Sequence, residues 1–576
     1  MIKLLYPLIF SLLIALYVLS SCANQSSPSG GPKDTIPPIL EESYPKEGQL
    51  NFQDQKIQLT FDEYVTLNNP KEEILITPTI EGEFEIDYKK DKVIIDFDTP
   101  LQDSTTYTIN FREAIKDITE GNPADALQFA FSTGPFLDSL KISGRTYELL
   151  TGQPAGNLTV SLYNANDTLD VFNNPPIYLT KTQQDGTFAF QNLKAGDYYL
   201  YAILDKNKNS LLEPKSEDYG FFPQPIILDT NVVDLDIPIQ HLDIRPFELQ
   251  SARQQGQYYL LKFNKYVIDY TLDALDSTLS IYSTISDNHN DVKIYNTFPK
   301  LDSTLISLKA YDTLFNELDT SFYIGFSESQ RKYDEFSFKL QGEAVDKKQP
   351  IAQVEFNFTK PVESVNIDSL YIQLDSTTIF SLDPLTDFQW NQNRTILNLT
   401  HSLTRDSLII IAQDSTDSTS VAPDPNTPSL FNSPSEASTQ MRPIKLYLGT
   451  GAFMSVEQDT STTKEQVLNY LQPAQLGSIQ IEISTEEPSF IVQLLDNSGN
   501  IIEELKNPRT INISNLQPKD YRLRILVDSD SNGTWNPGDI YNFKAPEPVI
   551  FYQDEDGNEK LIIRANWEVL ADPFSF

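Results

Sequence analysis

From residue 36 onward the chain alternates apolar and polar residues with a period of two, and few patterns restrict a fold more tightly. Ile57, Leu59 and Phe61 alternate with polar neighbours, as do Val93, Ile95 and Phe97, then Tyr107, Ile109 and Phe111, then Leu127, Phe129 and Phe131. Successive side chains of an extended strand point to opposite faces, so each set lays an apolar row on one side of a sheet and a polar row on the other. The segments LNNPKEE, YKKDK, LQDSTT and DITEGNPAD separate these sets with turn-forming residues. Short half-buried strands joined by turns are what two packed antiparallel sheets require. At 576 residues the chain is too long for one core. The prediction is an all-β protein made of tandem β-sandwiches.

Two phrases recur along the chain. LTFDEYV spans Leu59 to Val65, LKFNKYV Leu261 to Val267, and FNFTKPV Phe356 to Val362. Each is followed at a distance by a second phrase, DSTTYTINF at Asp103, DTSFYIGF at Asp319 and RDSLIII at Arg405. The ordered pairs predict three diverged copies of one sandwich module. A different repeat links NLKAGDYYLYAILDKNKNSLLEP, from Asn192, to NLQPKDYRLRILVDSDSNGTWNP, from Asn515, without a gap at an offset of 323.

The first copy, from DTIPPILEESYPKEGQL through IQLTFDEYV to LQFAFSTG, resembles the bacterial Ig-like domain of S-layer (SbsA) type. The stretch around Asp185, Gly186, Phe188, Phe190, Leu193, Gly196 and Tyr198 resembles the small prealbumin-like, or carboxypeptidase-regulatory-like, β-sandwich. The later copy keeps only the closing strands and loop of that pattern. The layout as a whole is similar to lipid-anchored Ig-like proteins of the Bacteroidetes envelope. The resemblances imply spacers or binding platforms and no enzymatic activity. The organisation expected is an Ig-like sandwich at 35–136, a prealbumin-like one at 137–243, Ig-like ones at 244–346 and 347–470, and a prealbumin-like one at 471–576. Residues 413–443, rich in Ser, Thr, Pro and Asp, carry too few apolar side chains to offset the entropy of ordering, and are expected as a disordered insertion in the fourth module.

The N-terminus reads as an address. Lys3 precedes an apolar run from Leu4 to Val18, too short to span a bilayer and of the length of an export signal. Leu19-Ser20-Ser21-Cys22 resembles a bacterial lipobox, which implies a signal peptide over 1–21 and a lipid-modified, palmitate-bearing Cys22. Several acyl chains on one cysteine anchor durably where one is marginal, and 22–34 would form a flexible tether. Ala23 resembles the pattern that permits transfer to the outer membrane. The first carboxylate after the cysteine is Asp34, so the periplasmic and surface faces both stay open.

One loop raises metal chemistry. DSDSNGTWNPGD offers oxygen ligands at the spacing of a calcium loop: Asp528, Asp530, Asn532, the Thr534 carbonyl, Asn536 and Asp539, with Gly533 at the sixth place. A strand precedes it where EF-hands have a helix, and the same residue types serve polar turns without an ion. The earlier copy keeps Asp205, Asn207 and Asn209 and offers Glu213 and Glu217, a weaker set. Calcium, if bound, would be structural.

Catalytic chemistry has little to draw on. His241, His289 and His401 are scattered, Cys22 is the lone cysteine, and no HExxH, P-loop or GxSxG is present. A net charge of −38 repels nucleic acid. The function expected is a lipid-anchored envelope protein with a structural, adhesive or binding-platform role and a protein or glycan ligand. The alternatives are a glycan-binding lipoprotein of polysaccharide uptake, for which Trp390, Trp535 and Trp567 are candidate stacking platforms, and, third, a hydrolase using two carboxylates.

Overall fold

The structure, a computed structural model, describes residues 34–576 apart from 125–126, 169, 277, 298–302, 346–349, 376, 405–407, 411–439, 442 and 471–475. The leader, Cys22 and nearly all of the tether lie outside the described residues, as does most of the insertion expected at 413–443. Among the described residues the fold is all-β, and the longest helix is the single turn Pro70–Glu73. No described helix is long and apolar enough to cross a membrane. The chain divides into two compact units, one of Met1–Glu148, Gln153–Leu212 and Tyr219–Ile239, the other of Leu149–Gly152, Glu213–Asp218 and Gln240–Phe576.

The first unit holds two sandwiches. In the first, Leu40–Tyr44, Lys56–Phe61, Lys92–Phe97 and Phe84–Lys89 form one antiparallel sheet in that order, and Leu75–Thr77, Thr106–Asn110 and Gln128–Ser132 form the other. The alternating rows meet between them, with Ile57, Leu59, Val93, Ile95, Ile109 and Phe131 all buried. In the second, Leu140–Glu148 pairs antiparallel with Thr187–Leu193 and parallel with Val232–Ile239. Its other sheet centres on Thr159–Asn164 and Gly196–Ile203. The two sandwiches touch: Thr79 donates to the carbonyls of Pro176 and Ile177, and Asn192 Nδ2 donates to Thr108 Oγ1 at 3.0 Å.

The second unit holds three more, each with its own core. The third sandwich packs Leu249–Gln255, Tyr258–Phe263, Asp291–Ile294 and Ser283–Ile285 against Val267–Ala274, Thr304–Asp312 and Glu317–Ile324. In the fourth, eight strands run in one continuous order, joined where Lys464–Tyr470 bridges Ile444–Leu448 and Phe338–Val345. Phe338–Val345 pairs along Ile351–Phe358 and so belongs to the fourth sandwich, not to the third as its position before 346 suggested. Its apolar residues would fit either core, and pairing decides. Ile409–Ile410 pair antiparallel with Gln440–Met441 in a small sheet of their own.

The repeats have structural counterparts. Val65, Val267 and Val362, which close the recurring phrase, donate to the carbonyls of Lys90, His289 and Arg394, and each of these acceptors has positive φ. Phe61, Phe263 and Phe358 pair with Leu40, Leu249 and Phe338. The fifth sandwich repeats the strand order of the second, with Gly477–Ser484 antiparallel to Thr510–Leu516 and parallel to Glu568–Leu570. Asn192 and Asn515 both sit at left-handed φ within a register shift, a bulge that asparagine tolerates. Tyr198 and Tyr521 donate their hydroxyls to the carbonyls of Lys194 and Gln517, four residues upstream in each copy.

Candidate metal centre

The strand Asp520–Val527 runs out into the acidic loop, and its first loop residue fixes the turn. The Asp528 carboxylate accepts from the amides of Asn532 at 3.0 Å and Gly533 at 2.9 Å and from the Ser489 hydroxyl at 2.6 Å. Closing a turn this tightly takes positive φ at Ser531 and Gly533. Asp528 is fully buried. Burial alone would raise its pKa, but the Ser489, Gly533 and Asn532 hydrogen bonds outweigh it and hold the carboxyl below the ordinary aspartate range.

Asp530 and a residue outside the motif complete the cluster. Asp530 accepts from the Asn532 amide at 3.2 Å, and Lys544 Nζ stands 3.6 Å from its other oxygen. Glu547, buried just before the strand Val549–Phe551, accepts from the amides of Ser529 at 2.8 Å and Asn536 at 2.8 Å. Asp528, Asp530 and Glu547 each offer an oxygen, all within 4.8 Å of one another. Asp528 Oδ1, Asp530 Oδ1 and Glu547 Oε2 each accept a single amide and keep a second lone pair, so the three residues can present hard oxygen donors to one cation of calcium type.

The other predicted ligands are placed differently. Asn532 turns its side-chain oxygen to Thr534, accepting from both its amide and its hydroxyl. Asn536 donates its side-chain amide to Asp530. Asp539, expected as the twelfth-position ligand, instead accepts from the amides of Tyr541 and Asn542 in a turn of its own. Glu547 stands with Asp528 and Asp530 in its stead. Trp535 is half-buried, and its indole donates to the Glu547 carbonyl at 3.0 Å.

The earlier loop keeps the same backbone scheme. Asp205 accepts from the amides of Asn209 and Ser210, Asn207 from Asn209, and Asn209 from Leu211, register for register with the later copy. Ser210 takes the positive φ that Gly533 takes. Glu213 donates its amide to Glu217, which is buried. Strand pairing shows what Glu217 corresponds to. Phe221 lies opposite Tyr201 and Phe551 opposite Arg524, so the incoming strands align at an offset of 330, which sets Glu217 against Glu547.

The histidines form no cluster: His241 contacts Asp218 at 2.5 Å, His401 contacts Asp387 at 2.8 Å, and His289 stacks on Tyr266. Trp390 is half-buried and stacks on Phe358, while Trp567 is exposed with the Arg564 guanidinium over its ring.

Residues 34–133 match the family model of the bacterial Ig-like domain. No curated protein matches the chain. Among solved structures the chain is similar to the major pilin subunit BcpA of Bacillus cereus, at 11% identity over 76% of this chain and 99% of that one, with a TM-score of 0.12. It is also similar to the S-layer protein SbsC, at 12% identity over 91% and 68%, TM-score 0.13. A third is the Bacteroides ovatus mixed-linkage glucan utilization locus protein SGBP-B, solved with a mixed-linkage heptasaccharide, at 11% identity over 66% and 85%, TM-score 0.13. Likeness at that level carries no argument about what this chain does.

Proposed function

We propose that the chain is a lipid-anchored cell-envelope protein, held through Cys22 and built to present or space binding surfaces without catalysis. What supports this reading is that the described residues form five sandwiches, each with its own core. Metabolic labelling with a palmitate analogue is expected to mark the wild-type protein and to fail with Cys22→Ser, which should move from the membrane to the soluble fraction. An unlabelled wild type would remove the anchor. The outer membrane is the membrane we favour, and protease shaving of intact cells separates its surface from its periplasmic face. Glycan-array binding abolished by Trp567→Ala would turn the reading to polysaccharide capture.

We also propose that Asp528, Asp530 and Glu547 hold a calcium ion that pins the loop. Terbium luminescence sensitised by Trp535 is expected in the wild type, displaced by calcium and lost in Glu547→Ala. Asp539→Ala should leave the signal intact, because its carboxylate closes a separate turn. A signal that survives Glu547→Ala would refute the site.

A further inference from the structure

Lys360 is the fifth residue of the phrase FNFTKPV, and its side chain is fully buried. Its Nζ lies 2.7 Å from Glu457 Oε2 and 2.7 Å from Asp459 Oδ2. Two carboxylates around one ammonium leave one negative charge uncompensated, which favours a proton on the more buried carboxyl. The surroundings tell which. Burial pushes the Glu457 carboxyl up and outweighs the pull of Lys360, and Glu457 Oε1 is buried with no hydrogen-bond partner. For Asp459 burial also acts upward, but the Lys360 and Ser455 hydrogen bonds prevail and hold it low, and its side chain is 38% exposed. Glu457, the more buried of the two, is the carboxyl that its surroundings push towards the neutral form, and Asp459 the one they push towards the ionised form.

We propose that Lys360 and Glu457 become joined by an intramolecular amide bond, Nζ to Cδ, which the chain forms itself with Asp459 as proton acceptor. A buried amine held against a neutral carboxylic acid is a nucleophile already at its electrophile. The Lys360 ammonium passes one proton to the Asp459 carboxylate, and the freed amine attacks Glu457 Cδ. The Tyr258 hydroxyl, which donates to Glu457 Oε2 at 3.4 Å, holds the oxygen on which charge develops. The C–OH bond then breaks. The hydroxyl leaves as water with a second proton from the nitrogen, and Asp459 returns its proton to solvent. One C–N bond replaces one C–O bond, with no oxidant, reductant or co-substrate. Burial acts against the Lys360 ammonium, but the hydrogen bonds to Asp459 and Glu457 prevail and keep it charged, so the reaction is a slow maturation.

The third sandwich supplies an internal contrast. Lys265 occupies the same place in LKFNKYV and is buried against Asp312, but its other partner is the Asp243 backbone carbonyl, not a second carboxylate. With a single carboxylate beside it, Lys265 lacks the pairing of one carboxyl to attack and another to take the proton.

Tyr258 belongs to the third sandwich and packs with Tyr295 and Val456, so the reacting groups assemble only in the folded chain. Peptide mapping of the full-length protein by mass spectrometry tests the bond directly. The expected result is a branched species joining the peptide of Lys360 to that of Glu457, lighter by one water (about 18 Da) than their sum. It should be absent in Lys360→Arg and in protein digested directly after denaturing synthesis, and strongly reduced in Asp459→Ala. Two unlinked peptides from the aged wild type overturn the proposal, as does a water loss mapped to Asp459 or elsewhere. Because the wild-type peptides alone are decisive, variants that fail to fold do not blur the outcome.

Discussion

Replacing Asp117 with alanine is expected to destabilise the first sandwich by about 3 kcal/mol, since several backbone donors lose a charged acceptor at once. Asp117 is buried and accepts from the amides of Thr119, Glu120 and Gly121 through one oxygen and of Asn122 through the other. It sits opposite Val65, where the strand Ile115–Asp117 pairs with Val65–Leu67. Burial alone would raise this carboxyl, yet the four amides overcome it and bring its pKa down to about 2. A folded value below the unfolded one stabilises the ionised state. The contribution is therefore complete above the unfolded pKa near 4, shrinks as the pH falls through that value towards 2, and is gone below it. Asp117→Asn should show a flat profile across this window. Hydrogen exchange of the Thr106–Asn110 and Gln128–Ser132 amides, followed against pH, reads the first sandwich alone, which one global unfolding curve of a multi-sandwich chain does not. Unchanged protection in Asp117→Ala would show that the loop is not anchored this way.

The sandwiches were legible because a period of two leaves little choice: Ile57, Leu59, Phe61, Val93, Ile95 and Phe97 are all buried as the alternation demands. What alternation cannot show is a second covered face. Thr106 and Thr108 read as the wet row of their strand, but both are buried, and Thr108 accepts from Asn192 of the neighbouring sandwich. The candidate metal site was half legible. Asp528 and Asp530 announce themselves, whereas Glu547 stands eight residues beyond the motif and reaches the loop only through strand pairing. Its signal lay in the earlier copy, where Glu217 is its counterpart. The ungapped offset of 323 conceals this, because it sets Glu547 against Gln224. Spacing also suggested Asp539 as a ligand, and spacing carries no information on which of two nearby turns a carboxylate will close.

Lys265→Met is expected to cost the third sandwich about 3 kcal/mol, and Asp312→Ala more, because a buried charge stripped of its partner keeps its desolvation penalty. Both side chains are almost wholly buried. The asymmetry follows from what each leaves behind. Asp312 without Lys265 still accepts from the amides of Leu314 and Asn316 and from the Asn316 side chain. Lys265 without Asp312 retains only the Asp243 carbonyl at 3.1 Å, and the turn after Thr304–Asp312 loses its anchor as well. The double replacement Lys265→Met with Asp312→Leu removes both charges and should cost less than the sum of the single changes by roughly 1–3 kcal/mol. Raising the salt concentration should alter none of these values, since ions do not screen a pair that water does not reach. Exchange protection of the Thr304–Asp312 amides is the measurement, and additive effects would mean that the two residues do not act as a pair. The same phrase position carries Glu63 in the first sandwich and Lys360 in the fourth. What a lysine at this position does is thus set by the carboxylates it meets: one at Asp312, and two at Glu457 and Asp459.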